Sequence, residues 1–216
     1  MLSDISPKKS QKNLKYFQGL GIEIRLTGSM KKNDNDEELA MRAASGEAAA
    51  FRTLLNRHYD RVFRVVYGVL RNTSDAEDVT QEIWAALPSK LRQWRGSAKL
   101  TSWLHRIALN ASKDFLRRRA SQARTVEGYA EMESLSRGAV TDTQNRLIWL
   151  QSALETLSDD LRETAVLTLS EEMNFAQAAD VLGVAEGTVA WRMSEIRKRL
   201  KILASKGDGL GQEALA

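Results

Sequence analysis

The chain has 216 residues, 43% of them hydrophobic and 28% charged, which is typical of a soluble globular protein with one large or two small domains. It has no cysteine and two histidines, which excludes disulfides, thiolate zinc sites and histidine-rich metal sites. No apolar run approaches the roughly 18 residues that a membrane span needs, and the N-terminus lacks the apolar core of a secretory signal. We therefore predict a cytoplasmic protein with no metal, no other cofactor and no membrane insertion.

The charges are distributed unevenly, although the net charge is only +4. Acidic residues cluster between positions 75 and 82, and basic residues cluster between 113 and 124 and again between 192 and 206. An acidic face and two basic faces in one chain fit contacts with both a protein and a polyanion. The alternative is that all three are solvated helix faces.

Helical periodicity begins at Asp36 and continues through three predicted helices. A short helix ends at Ser45-Gly46, and a stripe of apolar residues at spacings of three and four runs from Phe51 to Val69. Ser74 and Glu77 resemble a capping box at the start of the next helix, and Pro88 is predicted to end it. The predicted buried face of this helix carries Ala76, Val79, Ile83 and Leu87.

A loop with a turn at Gly96 is predicted next, followed by a helix from Ser102 to about Arg119. One side of this helix carries a polar and basic row at spacings of four, three and four, which we call the basic row: Arg106, Asn110, Lys113 and Arg117. His105 is predicted to be exposed, whereas His58 lies on the apolar stripe and is predicted to be a core residue.

Residues 120–142 contain few large apolar side chains, which indicates a flexible linker between two domains. Beyond it, residues 175–193 are typical of a helix-turn-helix, with small Ala178 and Ala179 for close packing and Gly183 for the turn. The second helix of such a motif normally enters the major groove. Its predicted outer face carries Thr188, Trp191, Arg192, Glu195 and Arg199.

Three blocks of sequence together resemble the sigma-70 family of RNA polymerase sigma factors, of the extracytoplasmic-function (ECF) type. They are residues 75–84 (DAEDVTQEIW), residues 94–119 (beginning WRGSAKLTSWLHRIALN), and the helix-turn-helix. The resemblance implies an all-α fold of two helical domains. Its implied divisions are an N-terminal extension at 1–35 that we expect to be poorly ordered, a region 2 domain at 36–119, the linker at 120–142, a region 4 domain at 143–204 and a flexible tail at 205–216.

The resemblance also implies a role for each block. The acidic helix is expected to contact the β′ clamp helices of core RNA polymerase through Asp75, Asp78, Gln81 and Glu82. The second block is expected to read the minus-ten promoter element through Arg95, Gly96, Ser97, Lys99, Trp103, Arg106, Asn110, Lys113 and Arg117. The outer face of the second helix of the helix-turn-helix is expected to read the minus-thirty-five element. The β flap of the polymerase and an anti-sigma factor are further expected partners.

No catalytic triad, phosphate loop or nucleotide fingerprint occurs, so we do not expect an enzyme. Two alternatives remain open at this point. A dimeric helix-turn-helix regulator would leave the acidic helix and the basic row without a role. A sigma mimic that sequesters an anti-sigma factor is expected to lose its DNA-reading residues, whereas the basic row is present here.

Overall fold

The computed structural model describes residues 35–96, 98–125 and 156–206, and all of the regular structure in these ranges is helical. The all-α prediction is therefore confirmed. Residues 1–34, 126–155 and 207–216, which include most of the predicted N-terminal extension, linker and flexible tail, lie outside the described residues. Positions 120–125 of the predicted linker and 205–206 of the predicted tail are helical. No helix in the described ranges is both long and apolar enough to span a membrane.

Four helices form an N-terminal bundle: α1 (Asp36–Ala44), α2 (Ala48–Leu70), α3 (Thr73–Leu91) and α4 (Leu100–Thr125). The apolar stripe of α2 is buried as predicted, with Leu54, Val62 and Val66 almost fully enclosed by the other three helices. His58 is also buried, and its Nε2 lies 2.8 Å from Oδ2 of Asp36 in the first turn of α1. Burial of this apolar face is the main free-energy source for the bundle.

Two predicted boundaries of α3 are wrong. The helix begins at Thr73 because Asn72 is its N-cap, and the Asn72 side chain accepts a hydrogen bond from the Asp75 backbone N–H at 2.9 Å. It also continues through Pro88 to Leu91. Proline removes one hydrogen bond near the end of the helix, but Leu87 and Leu91 on either side of it are buried and hold the last turn in place.

The C-terminal unit consists of α5 (Asp159–Ala165), a π-helical segment (Val166–Ser170), α6 (Phe175–Leu182) and α7 (Glu186–Lys206). Helices α6 and α7 form the predicted helix-turn-helix. Asn174 and Gln177 form a capping box at the start of α6, and Gly183 ends that helix with a φ of 69°. Inward-facing Val189, Ile196 and Leu200 bury one side of α7.

The C-terminal unit packs directly on the N-terminal bundle. The π-helical segment contacts α2, and α6 contacts α4. Val166 and Leu167 belong to the same apolar core as Leu54 and Val66 of the bundle. Helix α4 also ends later than the predicted Arg119, at Thr125.

Candidate interaction surfaces

The acidic helix α3 buries one face and exposes the other. Ala76, Val79 and Ile83 are buried, whereas Asp78 and Glu82 are exposed and Gln81 is half-buried. Asp75 accepts a hydrogen bond from Arg119 of α4 at 2.7 Å, and a Glu82 carboxylate oxygen lies 3.6 Å from Nη2 of Arg118. Of the four residues predicted on this face, Asp78 and Glu82 are thus the most accessible to a partner.

The loop before α4 presents two cations beside a pair of indole rings. Gly96 has a φ of 69°, in the left-handed region that favours glycine. Arg95 and Lys99 are exposed on either side of it, while predicted residue Ser97 lies outside the described residues. Trp94 and Trp103 are half-buried, with ring centroids 6.4 Å apart. The loop therefore combines positive charge with aromatic surface.

The basic row of α4 faces the C-terminal unit. Two of its cations contact acceptors of that unit, and the third pairs with a residue of α4 itself. The Nη2 of Arg106 donates to the Asp180 carbonyl oxygen at 2.5 Å, and Nζ of Lys113 lies 2.8 Å from Oε2 of Glu163. Arg117 pairs with Asp114 on its own helix. Arg106, Asn110 and Arg117 still expose much of their surface, and Lys113 is half-buried.

Glu163 is almost fully buried beneath Lys113. Burial raises the pKa of the Glu163 carboxyl, and the hydrogen bond from Lys113 offsets only part of this effect. Its second oxygen, Oε1, has no hydrogen-bond partner among the described residues. A buried carboxylate is costly to leave without a charged partner, and a single lysine pairs with this one. The free energy of burying Glu163 therefore depends on Lys113.

A second buried carboxylate, Glu171, sits among three basic side chains of the N-terminal bundle. Its side chain is 2% exposed, and its oxygens lie 3.1 Å from Nε of Arg61, 3.0 Å from Nε of Arg64 and 3.3 Å from Nε2 of His105. Burial by itself raises the pKa of Glu171, but the hydrogen bonds from His105 and Arg64 outweigh burial and hold that pKa below its ordinary value. We call this arrangement the Glu171 socket.

The sequence did not predict the Glu171 socket or the role of Glu163. His105, predicted to be exposed, is only 3% exposed, because the C-terminal unit covers it. The contacts of Glu171 with His105 and Arg64 join residues 66 and 107 positions apart in the chain, and Lys113 and Glu163 are 50 positions apart. Glu163 carries no local signal of burial, because its neighbours in the sequence are Arg162 and Thr164.

The outer face of α7 presents a large aromatic side chain. Trp191 is 64% exposed, and Thr188 is half-buried. Arg192 has a side chain that is only 12% exposed, and it donates a hydrogen bond to Asp160 of α5 at 2.7 Å. Arg199 donates to Glu195 on the same helix at 2.9 Å. The most accessible of the five predicted residues is therefore Trp191.

A groove of about 450 Å³ lies on the C-terminal unit between the π-helical segment and α7. Its apolar walls are Leu169, Met173, Phe175 and Met193, and Leu169 is 57% exposed. In residues 35–96, 98–125 and 156–206, no cluster of three or more potential metal ligands occurs.

Comparisons with known proteins agree with this architecture. The sigma-70 region 2 family model matches residues 54–122. The ECF RNA polymerase sigma factor SigM of Mycobacterium tuberculosis is 33% identical over 167 residues, which cover 77% of this chain and 83% of SigM. The structure of CnrH in complex with the cytosolic domain of CnrY has a TM-score of 0.62 at 28% identity, covering 81% of this chain and all of CnrH.

The sigma factor RpoE of Bartonella quintana, solved in complex with the anti-sigma factor NepR, shares the fold, with a TM-score of 0.60 at 23% identity over 72% of this chain and 96% of RpoE. The match to region 2 covers the blocks that carry the acidic helix and the basic row. The chain belongs to the ECF family of RNA polymerase sigma factors.

Proposed function

We propose that this sigma factor binds core RNA polymerase in the cytoplasm, recognises a promoter with two elements and helps to melt it, without catalytic activity of its own. The observation that carries the proposal is the presence of three separate surfaces on one sigma-family chain: the acidic face of α3, the basic row with its adjoining loop, and the outer face of α7. Each surface has the chemistry of one expected partner.

The acidic face of α3 is proposed to contact the β′ clamp helices. Asp78 and Glu82 are exposed on a helix whose opposite side is anchored in the core, so their charges are displayed on a rigid element. Asp75 and Gln81 complete the surface, and Arg119 holds Asp75 in position. The alternative is that this face contacts only solvent, in which case charge reversal would not weaken binding to the polymerase.

The basic row and the adjoining loop are proposed to contact the minus-ten element. Arg106, Lys113 and Arg117 suit phosphate contacts, and Asn110 suits a base edge. Extruding a base costs a few kcal/mol of lost stacking, and contacts with the protein must offset this cost. The proposed pocket for that base is the loop next to the Trp103 ring, which carries Arg95, Gly96, Ser97 and Lys99.

The outer face of α7 is proposed to read the minus-thirty-five element. An exposed indole at Trp191 suits contact with a thymine methyl group or the sugar backbone. Arg192 is oriented by Asp160, so DNA must compete with that carboxylate for the guanidinium. Thr188, Glu195 and Arg199 flank these two residues, and Glu195 can accept a hydrogen bond from a cytosine amino group.

Two further protein partners are proposed. The β flap of the polymerase is assigned to the groove beside α7, since Leu169 is exposed there among other apolar side chains. An anti-sigma factor is the proposed inhibitor. Support comes from CnrH, a relative whose structure was solved with a bound partner, the cytosolic domain of CnrY.

Binding of labelled protein to purified core polymerase tests the proposal. Asp78→Lys combined with Glu82→Lys should weaken binding by at least tenfold and leave the helical circular dichroism unchanged, because both residues are exposed. Asp60→Lys, a single charge reversal at an exposed position of α2, is the control and should bind normally. Equal binding by all three proteins would contradict the assignment of α3. A stable dimer that binds duplex DNA but not polymerase would instead favour a conventional helix-turn-helix regulator.

A further inference from the structure

Helix α7 exposes a different line of residues from the one that its sequence predicts. Its buried side lies at spacings of four, three and four and carries Val189, Met193, Ile196 and Leu200. The opposite side exposes a second line at the same spacings, which we call the α7 ridge: Gly187, Trp191, Ser194 and Lys198. Of the five residues predicted to face outward, only Trp191 belongs to the α7 ridge.

The indole of Trp191 has no large neighbour along the α7 ridge. One turn before it lies Gly187, where a Cβ atom would meet nothing within 4 Å, and one turn after it lies the small side chain of Ser194. At 64%, Trp191 is the most exposed large hydrophobic side chain in the described ranges. Tryptophan is enriched at interfaces because one side chain supplies a large apolar area. A partner can therefore approach this ring from either end of the helix.

Arg192 lies on the flank of α7 that faces α5. Successive residues of a helix are roughly 100° apart around its axis, so Arg192 and Trp191 point in different directions. The Arg192 side chain is 12% exposed, and its guanidinium donates a hydrogen bond to Asp160 at 2.7 Å. Bidentate recognition of guanine needs a guanidinium that reaches two acceptors on the base edge. In this structure, Arg192 instead links α7 to α5.

The other polar residues of the predicted outer face are also paired or partly covered. Glu195 accepts a hydrogen bond from Arg199 at 2.9 Å, and Thr188 is half-buried. Lys198 is exposed on the α7 ridge, seven residues after Trp191 and thus about 10 Å further along the helix axis. The first residues of a recognition helix contact base edges, so Lys198 lies where a phosphate contact is expected.

We propose that Trp191 recognises thymine in the minus-thirty-five element through its 5-methyl group, while Lys198 binds a phosphate and Arg192 contacts no base. The thymine methyl is the one methyl group that the four bases present in the major groove, and apolar contact with it distinguishes thymine from cytosine. This inference rests on the proposed function, because it requires α7 to enter the groove. It adds the chemical group that is recognised and separates the reading residue from the structural one.

Replacing thymine by uracil in the DNA tests the proposal, because this change removes the 5-methyl group and no hydrogen-bonding group. Holoenzyme assembled from the full chain and core polymerase first selects a minus-thirty-five element from randomised duplex DNA. Each thymine on either strand of that element is then replaced in turn. Affinity should fall about fourfold at one or two positions, as expected when one methyl group is removed from an apolar contact.

The outcomes separate this proposal from the proposed function. Unchanged affinity at every replaced thymine, or a selected element without thymine, would overturn methyl recognition while α7 remained a reading helix. Failure to select any minus-thirty-five element would overturn the proposed role of α7, and this inference with it.

Two variants assign the methyl effect to a side chain. Trp191→Ala should bind the thymine and uracil duplexes equally, because the ring that contacts the methyl group is absent. Met41→Ala truncates a side chain of similar exposure, 61%, on α1 and should retain the full uracil effect. A uracil effect that persists in folded Trp191→Ala would assign methyl recognition to another residue and overturn the proposal.

Arg192→Lys tests the structural assignment of Arg192. Lysine keeps a cation for Asp160 but lacks the planar fork that bidentate recognition requires. The DNA probe carries 7-deazaguanine, which lacks the N7 acceptor of guanine. Wild type and Arg192→Lys should respond alike, within about twofold, to this analogue at every guanine of the selected element. A tenfold loss in wild type that is absent from Arg192→Lys would show that Arg192 contacts that guanine, and would overturn this part of the proposal.

Lys198→Ala tests the phosphate contact. The variant should weaken binding to the selected duplex and to an unrelated duplex by the same factor, and should lower the salt slope by about one. A loss confined to the selected duplex would make Lys198 a base-reading residue and overturn its assignment to the phosphate.

Discussion

Gly68→Ala is the substitution expected to separate the stability of the N-terminal bundle from closure of the molecule, by which we mean the packing of the C-terminal unit on that bundle. Alanine favours an interior helix position over glycine by about 1 kcal/mol, so the change should stabilise α2 itself. In the closed state, however, the new Cβ would meet Val166 Cγ2 at 2.6 Å. Overpacking of this kind costs about 1–3 kcal/mol.

These two effects have opposite signs, and only the second depends on closure. The closed-to-open equilibrium should therefore shift toward the open state by about 1–3 kcal/mol, or roughly five- to 150-fold. The bundle should meanwhile be as stable as wild type or slightly more stable.

The assay combines energy transfer between two dyes with unfolding in urea. Cysteines introduced at exposed Asp60 and Lys198 place one dye on each half of the molecule, and opening changes the transfer efficiency. Gly187→Ala is the matched control, since a Cβ atom there meets nothing within 4 Å and the helix still gains alanine. A Gly68→Ala protein with the transfer efficiency of the control would refute the reasoning.

Three other outcomes are expected. Neutralising Lys113 and Arg117 should make open-complex formation less salt-dependent, because each lost phosphate contact removes roughly one released counterion. An unchanged slope in a salt titration would argue against DNA contact by these two residues. Trp191→Ala should select a different minus-thirty-five sequence from randomised DNA, and selection of the wild-type motif would make Trp191 structural. The free energy of unfolding should fall as pH drops below 4.5, because the pKa of Glu171 is lowered in the fold and the stability it contributes above its ordinary pKa is lost on protonation. Urea unfolding over a pH series should give a shallower fall for Glu171→Gln than for wild type, with Glu172→Gln following the wild type.

Periodicity in the sequence predicted the parts of the fold that depend on local spacing. Apolar residues three or four positions apart predicted the buried faces of α2 and α3, and a single glycine predicted the turn at Gly183. The errors at the ends of α3 have a local cause too. Asn72 competes with Ser74 as an N-cap, and burial of Leu91 outweighs the helix-breaking effect of Pro88.

The interface between the two halves could not be predicted in the same way. Glu171 and His105 are separated by 66 positions, and neither residue carries a local signal of the other. Glycine inside a helix is ordinarily a weak point, whereas in the structure Gly68 is the place where Val166 packs directly against α2. Such contacts follow from how whole helices pack, which a single sequence does not specify.

Transcription by core RNA polymerase on a library of genomic promoter fragments tests the central claim most directly. With the full chain added, a set of new transcripts should appear that share a two-part upstream motif, and the Asp78→Lys, Glu82→Lys protein should not produce them. Transcripts identical to those of core polymerase alone, from a folded full-length protein, would contradict the assignment of this chain as an initiation factor.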